Sequence, residues 1–452
     1  MRTMPLLAIS LLATGLGVAP ASPAGAAGET CQGRAATIVG QPLQRVVGTE
    51  GPDVVVTNGA IGVDTLGGDD LVCVTDAIAP GMVTLRTGAG NDVVDASASG
   101  SWVDAELGAG SDHYTASAGH DTVLTGSREG SRHVDTEPDT VVATTGGNAS
   151  QTGDEWTTGM SGVPNADVLQ LAGVGHTVRW SGVQTAGSQV VMGTGATLQP
   201  SLGDGDIAID AAGSWTEDGA PVLAWTGEAT RFELIGRSSA TSLSFTGTDR
   251  DEHVHSSFGK GVLDGPQRFD LGAGDDTLLS EDGVGGKGSS YIGGLGDDSI
   301  ELFGGKRLDV EMNAGRMYYR QHGTKVGASF DYFEDVRVGA RHLYVGGTAH
   351  ADHVSFYACT ATVRGRRGND VLAFSRRSDD GHKIGCDARK SKIRIFGEDG
   401  KDTITGSRGR DLLVGGRGRD TVRGKANRDR CSGEKLSSCE VRVPMIVRPR
   451  KA

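Results

Sequence analysis

The sequence predicts an all-β chain, a parallel β-roll or β-helix solenoid with irregular repeats. Three observations carry that prediction. Glycine fills 72 of the 452 positions and proline only 13, so glycine is at more than twice its ordinary share of roughly 7%. Hydrophobic residues make up 37% of the chain and aromatics 5%, thin for a large compact core but enough for a narrow one filled by Val, Ile and Leu. A short phrase of glycines, an aspartate and an apolar residue recurs along the chain, the mark of stacked repeats. Other classes are excluded. There is no glycine at every third residue, as collagen requires. Beyond residue 20 no run approaches the roughly 18 apolar residues of a spanning helix.

Taken in order, residues 1–26 read as a signal peptide. Arg2 supplies the positive start, Leu6 to Val18 the apolar stretch, and Ala24-Gly25-Ala26 the small-residue cleavage site. No apolar tail or sorting motif follows, so the mature chain is expected to be extracellular, released or held non-covalently at the envelope. All six cysteines (Cys31, Cys73, Cys359, Cys386, Cys431 and Cys439) lie beyond the cleavage site. An even number in an exported chain points to disulfides. Nearest-neighbour pairing is the default, each bond stapling one local loop.

Residues 27–145 form a first repeat region, with TGAGNDVVD around Asp92 and LGAGSDHYT around Asp112. Weaker copies sit at Asp53, Asp64, Asp70 and Asp121. Residues 146–246 lose the aspartate phrase and keep alternating segments such as VLQLAG, TVRWSG and LSFTG, which read as short strands between turns. A continuing irregular β-helix is the economical reading of this stretch, and a separate β-sandwich the alternative. Residues 247–396 resume the phrase at Asp276 (LGAGDDTLL), Asp298 (GGLGDDSIE) and Asp370 (RRGNDVL), and GTDRDEHV from Gly247 matches GTAHADHV from Gly347. Met312 to Tyr319 suits one helical turn or a longer strand. Residues 397–440 are a tandem array, GEDGKDTIT, GSRGRDLLV, GGRGRDTVR and GKANRDRCS, each starting nine residues after the last. Asp402, Asp411, Asp420 and Asp429 recur at that period, each trailed at two residues by Ile404, Leu413, Val422 or Cys431. Residues 441–452 are a basic tail.

The phrase has two physical halves. Glycines in the first half adopt positive φ and permit close backbone approach, and the aspartate offers a carboxylate. The second half is a strand of three or four residues whose alternate side chain points inward. So short a strand buries its apolar face only by stacking in parallel on further copies. At period nine one coil takes two copies, which sets Asp402 near Asp420 and Asp411 near Asp429. Carboxylates one strand spacing apart, roughly 5 Å, repel unless a cation lies between them, and a hard cation with oxygen ligands such as Ca²⁺ fits best.

These residues resemble the RTX, or haemolysin-type, calcium-binding nonapeptide G-G-x-G-x-D-x-U-x of secreted bacterial proteins. The resemblance implies a parallel β-roll with calcium between turn loops, held by aspartates and loop carbonyls. Position by position, the family's ligand aspartate falls on Asp402, Asp411, Asp420 and Asp429, and on Asp92, Asp112, Asp276, Asp298 and Asp370. Arg408, Arg410, Arg417, Arg419 and Arg428 occupy variable loop positions beside the carboxylates, and Asn427 replaces a turn glycine. They leave a second reading open, in which guanidinium groups pair with the aspartates and the roll needs no metal.

The net charge is −13, which suits cation binding and, with few aromatics and export, argues against nucleic acid. From Gly397 onward 14 Lys and Arg face 8 Asp and Glu. That basic end is either a solvated face or a contact for an anionic envelope polymer or polysaccharide. No H-E-x-x-H, G-x-S-x-G or G-x-x-x-x-G-K-[ST] motif occurs, so no enzyme is expected. His253, His255, His350 and His353 read as surface residues rather than zinc ligands. The expected function is an exported calcium-binding repeat protein whose loops stabilise a β-roll. The alternatives are a carbohydrate-active β-helix enzyme of the polysaccharide-lyase kind and a metal-independent envelope or adhesive protein.

Overall fold

The computed structural model describes residues 28–76, 81–129, 132–144, 153–236, 240–258, 265–281, 283–321, 324–375, 386 and 389–443. The signal-peptide assignment and most of the basic tail lie outside the described residues. From Ile38 to Arg442 the strands form one hydrogen-bonded network of 38, in which nearly every inter-coil pairing is parallel. The residues that dictate this are the inward-facing apolar ones. Val72 stacks on Val94, Val94 on Tyr114, Tyr114 on Val141 and Val141 on Leu169, and all five are fully buried. Ile404 and Val422 stack in the same way, as do Leu413 and Cys431. Each such residue contributes roughly 1.5–3 kcal/mol by leaving water, but only once its neighbours above and below are in place.

Coil length varies while the register persists. Thr403 pairs with Thr421, Met82 with Trp102, Arg268 with Ser290 and Thr360 with Lys392. Between Thr140 and Phe232 the stack continues without the aspartate phrase, so this stretch is irregular β-helix rather than a separate sandwich. From the end of this stretch onward the interior takes a column of aromatic rings. Trp225, Phe232, Phe245, Phe269 and Tyr291 follow one another with centroids 4.9–6.5 Å apart. Among the described residues three antiparallel excursions leave the stack, one a hairpin of Ser127–Glu129 with Arg132–Val134, one through strands Asp206–Asp210, Ser214–Glu217 and Ala220–Ala224, and one through Arg307–Glu311, Arg316–Gln321 and Thr324–Asp331. Met312–Ala314 is a 3₁₀ turn and Arg316–Gln321 a strand, so both sequence readings of that segment hold in part.

Disulfides join Cys31 to Cys73, Cys359 to Cys386 and Cys431 to Cys439, the nearest-neighbour pattern. The first and last staple the two ends of the stack. Among the described residues no helix is long and apolar enough to cross a membrane.

Candidate metal centre

The recurring turn has six positions, from the first glycine to the aspartate. Its second and fourth residues take left-handed backbone in the turns that end at Asp70, Asp92, Asp112, Asp276, Asp298, Asp370, Asp402, Asp420 and Asp429. At the fourth position of the Asp420 turn, Gly418 has φ +138°, and a Cβ there would overlap the Gly400 carbonyl one coil away. At the second position four non-glycine residues are held left-handed: Leu66, Arg366, Glu398 and Lys425, with φ between 73° and 80°. Long side chains adopt that conformation at a cost of order 1–3 kcal/mol and only where the surroundings impose it. Asn427, in place of the usual glycine, takes φ 75°.

The aspartates stack as the period predicts. The amide of Asp402 donates to Asp420 Oδ1 at 3.0 Å and that of Asp411 to Asp429 Oδ1 at 2.9 Å. The same bond links copies whose spacing is irregular. It joins Asp92 to Asp112 at 2.8 Å, Asp276 to Asp298 at 2.9 Å and Asp370 to Asp402 at 3.0 Å. Extended in both directions, these bonds form five ladders among the described residues. The first runs Asp53–Asp70–Asp92–Asp112–Asp139–Asp167, and the second joins Asp121 to Asp154. The third runs Glu252–Asp276–Asp298–Glu334. The fourth is Asp352–Asp370–Asp402–Asp420–Glu434, and the fifth Asp411–Asp429–Glu440. In every rung the earlier coil donates and the later carboxylate accepts.

Two kinds of turn alternate on this frame. In the left-handed turns the second carboxylate oxygen is buried without a hydrogen-bond partner, at Asp70, Asp92, Asp112, Asp276, Asp298, Asp370, Asp402, Asp420 and Asp429. The turns that head the ladders are different, because Ser or Thr stands at their second position. Ser407 donates its amide to Asp411 Oδ2 at 2.6 Å and its hydroxyl to the same carboxylate at 2.9 Å. Its oxygen then accepts the Gly409 amide at 2.8 Å. Thr49 caps Asp53, Ser117 caps Asp121, Thr248 caps Glu252 and Thr348 caps Asp352 in the same way. A head residue has no earlier rung to supply an amide, and its own turn fills its oxygens instead.

The open turns carry an electrostatic strain that follows from this geometry. Burial, reinforced by neighbouring carboxylates and only partly offset by the donated amide, pushes Asp112, Asp276, Asp370 and Asp429 up to about 7 and Asp92, Asp298 and Asp402 up to about 6. Asp420 and Asp411 are raised by burial as well. The arginines do not relieve it. Arg408, Arg410, Arg417, Arg419 and Arg428 are exposed, and among the described residues their one ion pair is Arg417 with Asp399, at 3.7 Å. Stacked carboxylates with orphaned oxygens make an all-oxygen donor set. A hard divalent cation fits it.

Residues 84–99 and 394–431 match the RTX calcium-binding nonapeptide repeat, a family profile of four copies. The chain carries RTX repeats. No curated protein matches it. The matched segments hold the turns of Asp92, Asp402, Asp411, Asp420 and Asp429; the turns of Asp112, Asp276, Asp298 and Asp370 lie outside them and share the RTX geometry. Asp64, a weak copy in the sequence, lies on strand Gly62–Asp64 and joins no ladder. Asp139, Asp154 and Asp167 are rungs that lie outside any G-x-x-G-x-D segment, so no spacing signal marks them. Of the histidines that follow a turn acid, His253 and His353 are exposed and His113 is half-buried, while His255, read as a surface residue, is half-buried between Glu233 and Glu281.

Proposed function

We propose that this protein is an exported scaffold whose β-roll is completed by calcium outside the cell. The observation that carries the reading is the column of buried, unpartnered Oδ2 atoms in the open turns. Calcium would be held between neighbouring open turns, at Asp70 with Asp92, Asp92 with Asp112, Asp276 with Asp298, Asp370 with Asp402, and Asp402 with Asp420. Bound there, the ion supplies the charge that lets stacked carboxylates ionise together. The aspartates position it, the left-handed residues bring carbonyls to it, and the apolar seam keeps the coils in register. The capped turns need no ion, since Ser or Thr fills their carboxylates.

Binding to the folded form alone stabilises it by about 2.7 kcal/mol per site when calcium exceeds its dissociation constant a hundredfold. The chain would therefore stay loose where calcium is scarce and close where it is plentiful. The test is thermal unfolding of the chain from residue 27 onward, followed by circular dichroism, in excess Ca²⁺ and in excess EGTA. A large calcium-dependent rise in Tm, reduced in an Asp402→Asn/Asp420→Asn variant, is expected. Superimposable curves would refute the reading.

A further inference from the structure

Downstream of Asp112 the first ladder leaves the glycine-turn pattern altogether. Asp139 precedes strand Thr140–Ala143 and Asp167 precedes Val168–Leu171. The register that pairs Thr140 with Val168 places one directly against the other. Asp135 follows the hairpin strand Arg132–Val134, which pairs with Ser127–Glu129, and is thereby turned back toward both. None of the three belongs to a G-x-x-G-x-D segment. One carboxylate oxygen from each lies within 4.8 Å of the other two. Asp135 is 5% exposed, and Asp139 and Asp167 are each 1% exposed.

The surroundings hold these carboxylates in place and leave one oxygen over. Asp135 Oδ2 accepts from Thr125 Oγ1 and, at 2.9 Å, from the Gly159 amide. Asp167 Oδ2 accepts from Thr158 Oγ1, and its Oδ1 from the Asp139 amide at 2.8 Å. Asn165 orients Asp167 by accepting its amide at 2.9 Å. Asp139 Oδ1 accepts the Asp112 amide at 2.7 Å. Asp139 Oδ2 is buried and bonds to nothing. It is the oxygen left to the group of three.

We propose that Asp135, Asp139 and Asp167 form a divalent-cation site, separate from the RTX turns and suited to Ca²⁺. Oxygens at 2.3–2.6 Å from one Ca²⁺ lie at most about 5 Å apart, which the three carboxylates meet as they stand. All the donors are oxygen, and the adjoining threonine hydroxyls leave no soft ligand to favour a thiophilic metal. Three buried carboxylates this close need either an ion or shared protons to coexist. A proton shared between Asp135 and Asp167, whose side chains meet, would still leave the Asp139 oxygen unpartnered, whereas an ion would engage all three carboxylates.

The site can be counted independently of the RTX turns. Equilibrium dialysis of the chain from residue 27 onward against Ca²⁺ gives ions bound per chain. Asp139→Asn keeps an oxygen for the Asp112 amide, and is expected to bind one ion fewer than the parent while circular dichroism stays unchanged. Asp402→Asn/Asp420→Asn should lower the count through its own turns and leave the Asp139 decrement intact. An Asp139→Asn variant that folds and binds the parental number overturns the proposal. If that variant does not fold, parent crystals soaked in Tb³⁺ decide it. An anomalous peak among the three carboxylates supports the site, and its absence overturns it, whether or not the RTX turns are filled.

Discussion

On one edge of the C-terminal roll Asp370, Asp402 and Asp420 stack with buried oxygens that bond to nothing. On the other edge, nine residues along the chain, Asp411 has both oxygens engaged by Ser407. The turns of Asp402, Asp411 and Asp420 come from the same nonapeptide array, place an apolar residue inward at the same offset, and fall within the same profile match, while that of Asp370 lies outside it. What separates them is one side chain at the second turn position. A residue driven left-handed, Glu398 or Gly416, leaves the carboxylate open. A serine with ordinary backbone closes it with an internal amide and hydroxyl. The comparison shows that an RTX-like phrase is not by itself an RTX-like site, because a local hydrogen-bond donor can stand in for the ion.

The sharpest way to break this comparison is to remove carboxylates from each edge in turn. Asp402→Asn/Asp420→Asn should abolish the calcium-dependent part of stability on its edge, several kcal/mol if both adjoining positions are filled at about 2.7 kcal/mol each. Asp411→Asn/Asp429→Asn should lower Tm by equal amounts in Ca²⁺ and in EGTA. A calcium-specific loss in the second variant would show that the capped turn takes metal after all.

Ser407→Gly tests the distinction from the other side. It removes hydrogen bonds to a buried carboxylate, which contribute about 1.5–3 kcal/mol when the acceptor is charged. In EGTA the variant should be less stable by about that amount. In Ca²⁺ it should recover, with one more ion bound per chain, as the turn opens next to that of Asp429.

Acidity gives a smaller effect with a definite sign. Asp370 and Asp429 sit at about 7 and Asp402 at about 6, against an ordinary 3.8. Without calcium the folded chain keeps protons that the unfolded chain has lost. The ladders' contribution is therefore full below pH 3.8 and declines as pH rises through 6 to 7. Calcium must displace those protons, so its binding strengthens over the same window. The Tm gap between Ca²⁺ and EGTA should widen from pH 5 to pH 8, and should widen less in Asp402→Asn/Asp420→Asn. The smallest effect belongs to the arginines. Arg417→Gln should change stability by no more than about 0.5 kcal/mol, because its exposed guanidinium pairs, among the described residues, with Asp399 alone, at 3.7 Å.

Much of this architecture was legible in the sequence, for a physical reason. The inward residues Ile404, Leu413, Val422 and Cys431 and the turn aspartates are tied to a fixed offset by strand alternation, so period nine reveals both the stack and the pairing across one coil. The irregular copies were harder. Asp276 and Asp298 stack as closely as the tandem ones, but variable excursions between turns hide the register from any fixed period. The cap was invisible because serine and threonine are ordinary turn residues, and only their bonds to the carboxylate distinguish Ser407 from a spacer. Asp139, Asp154 and Asp167 carry no glycine signature, and the parallel register alone brings them into line.

The direction of the rungs has a consequence for how such a chain comes together. Every amide in a ladder is donated forward, from an earlier coil to the carboxylate of a later one. A head such as Asp352, whose oxygens are filled from within its own turn, asks nothing of the residues upstream. The far end does ask something of its successor, and Glu334, Glu434 and Glu440 answer it with a longer side chain that reaches back to the last amide. The three ladders that end in Glu334, Glu434 and Glu440 thus have both a self-contained opening and a full stop, while the first closes at Asp167, whose amide turns back to Asn165 Oδ1. Assembly that begins at an opening proceeds in the order in which the chain is made, and an array lengthened between the two by whole coils still parses.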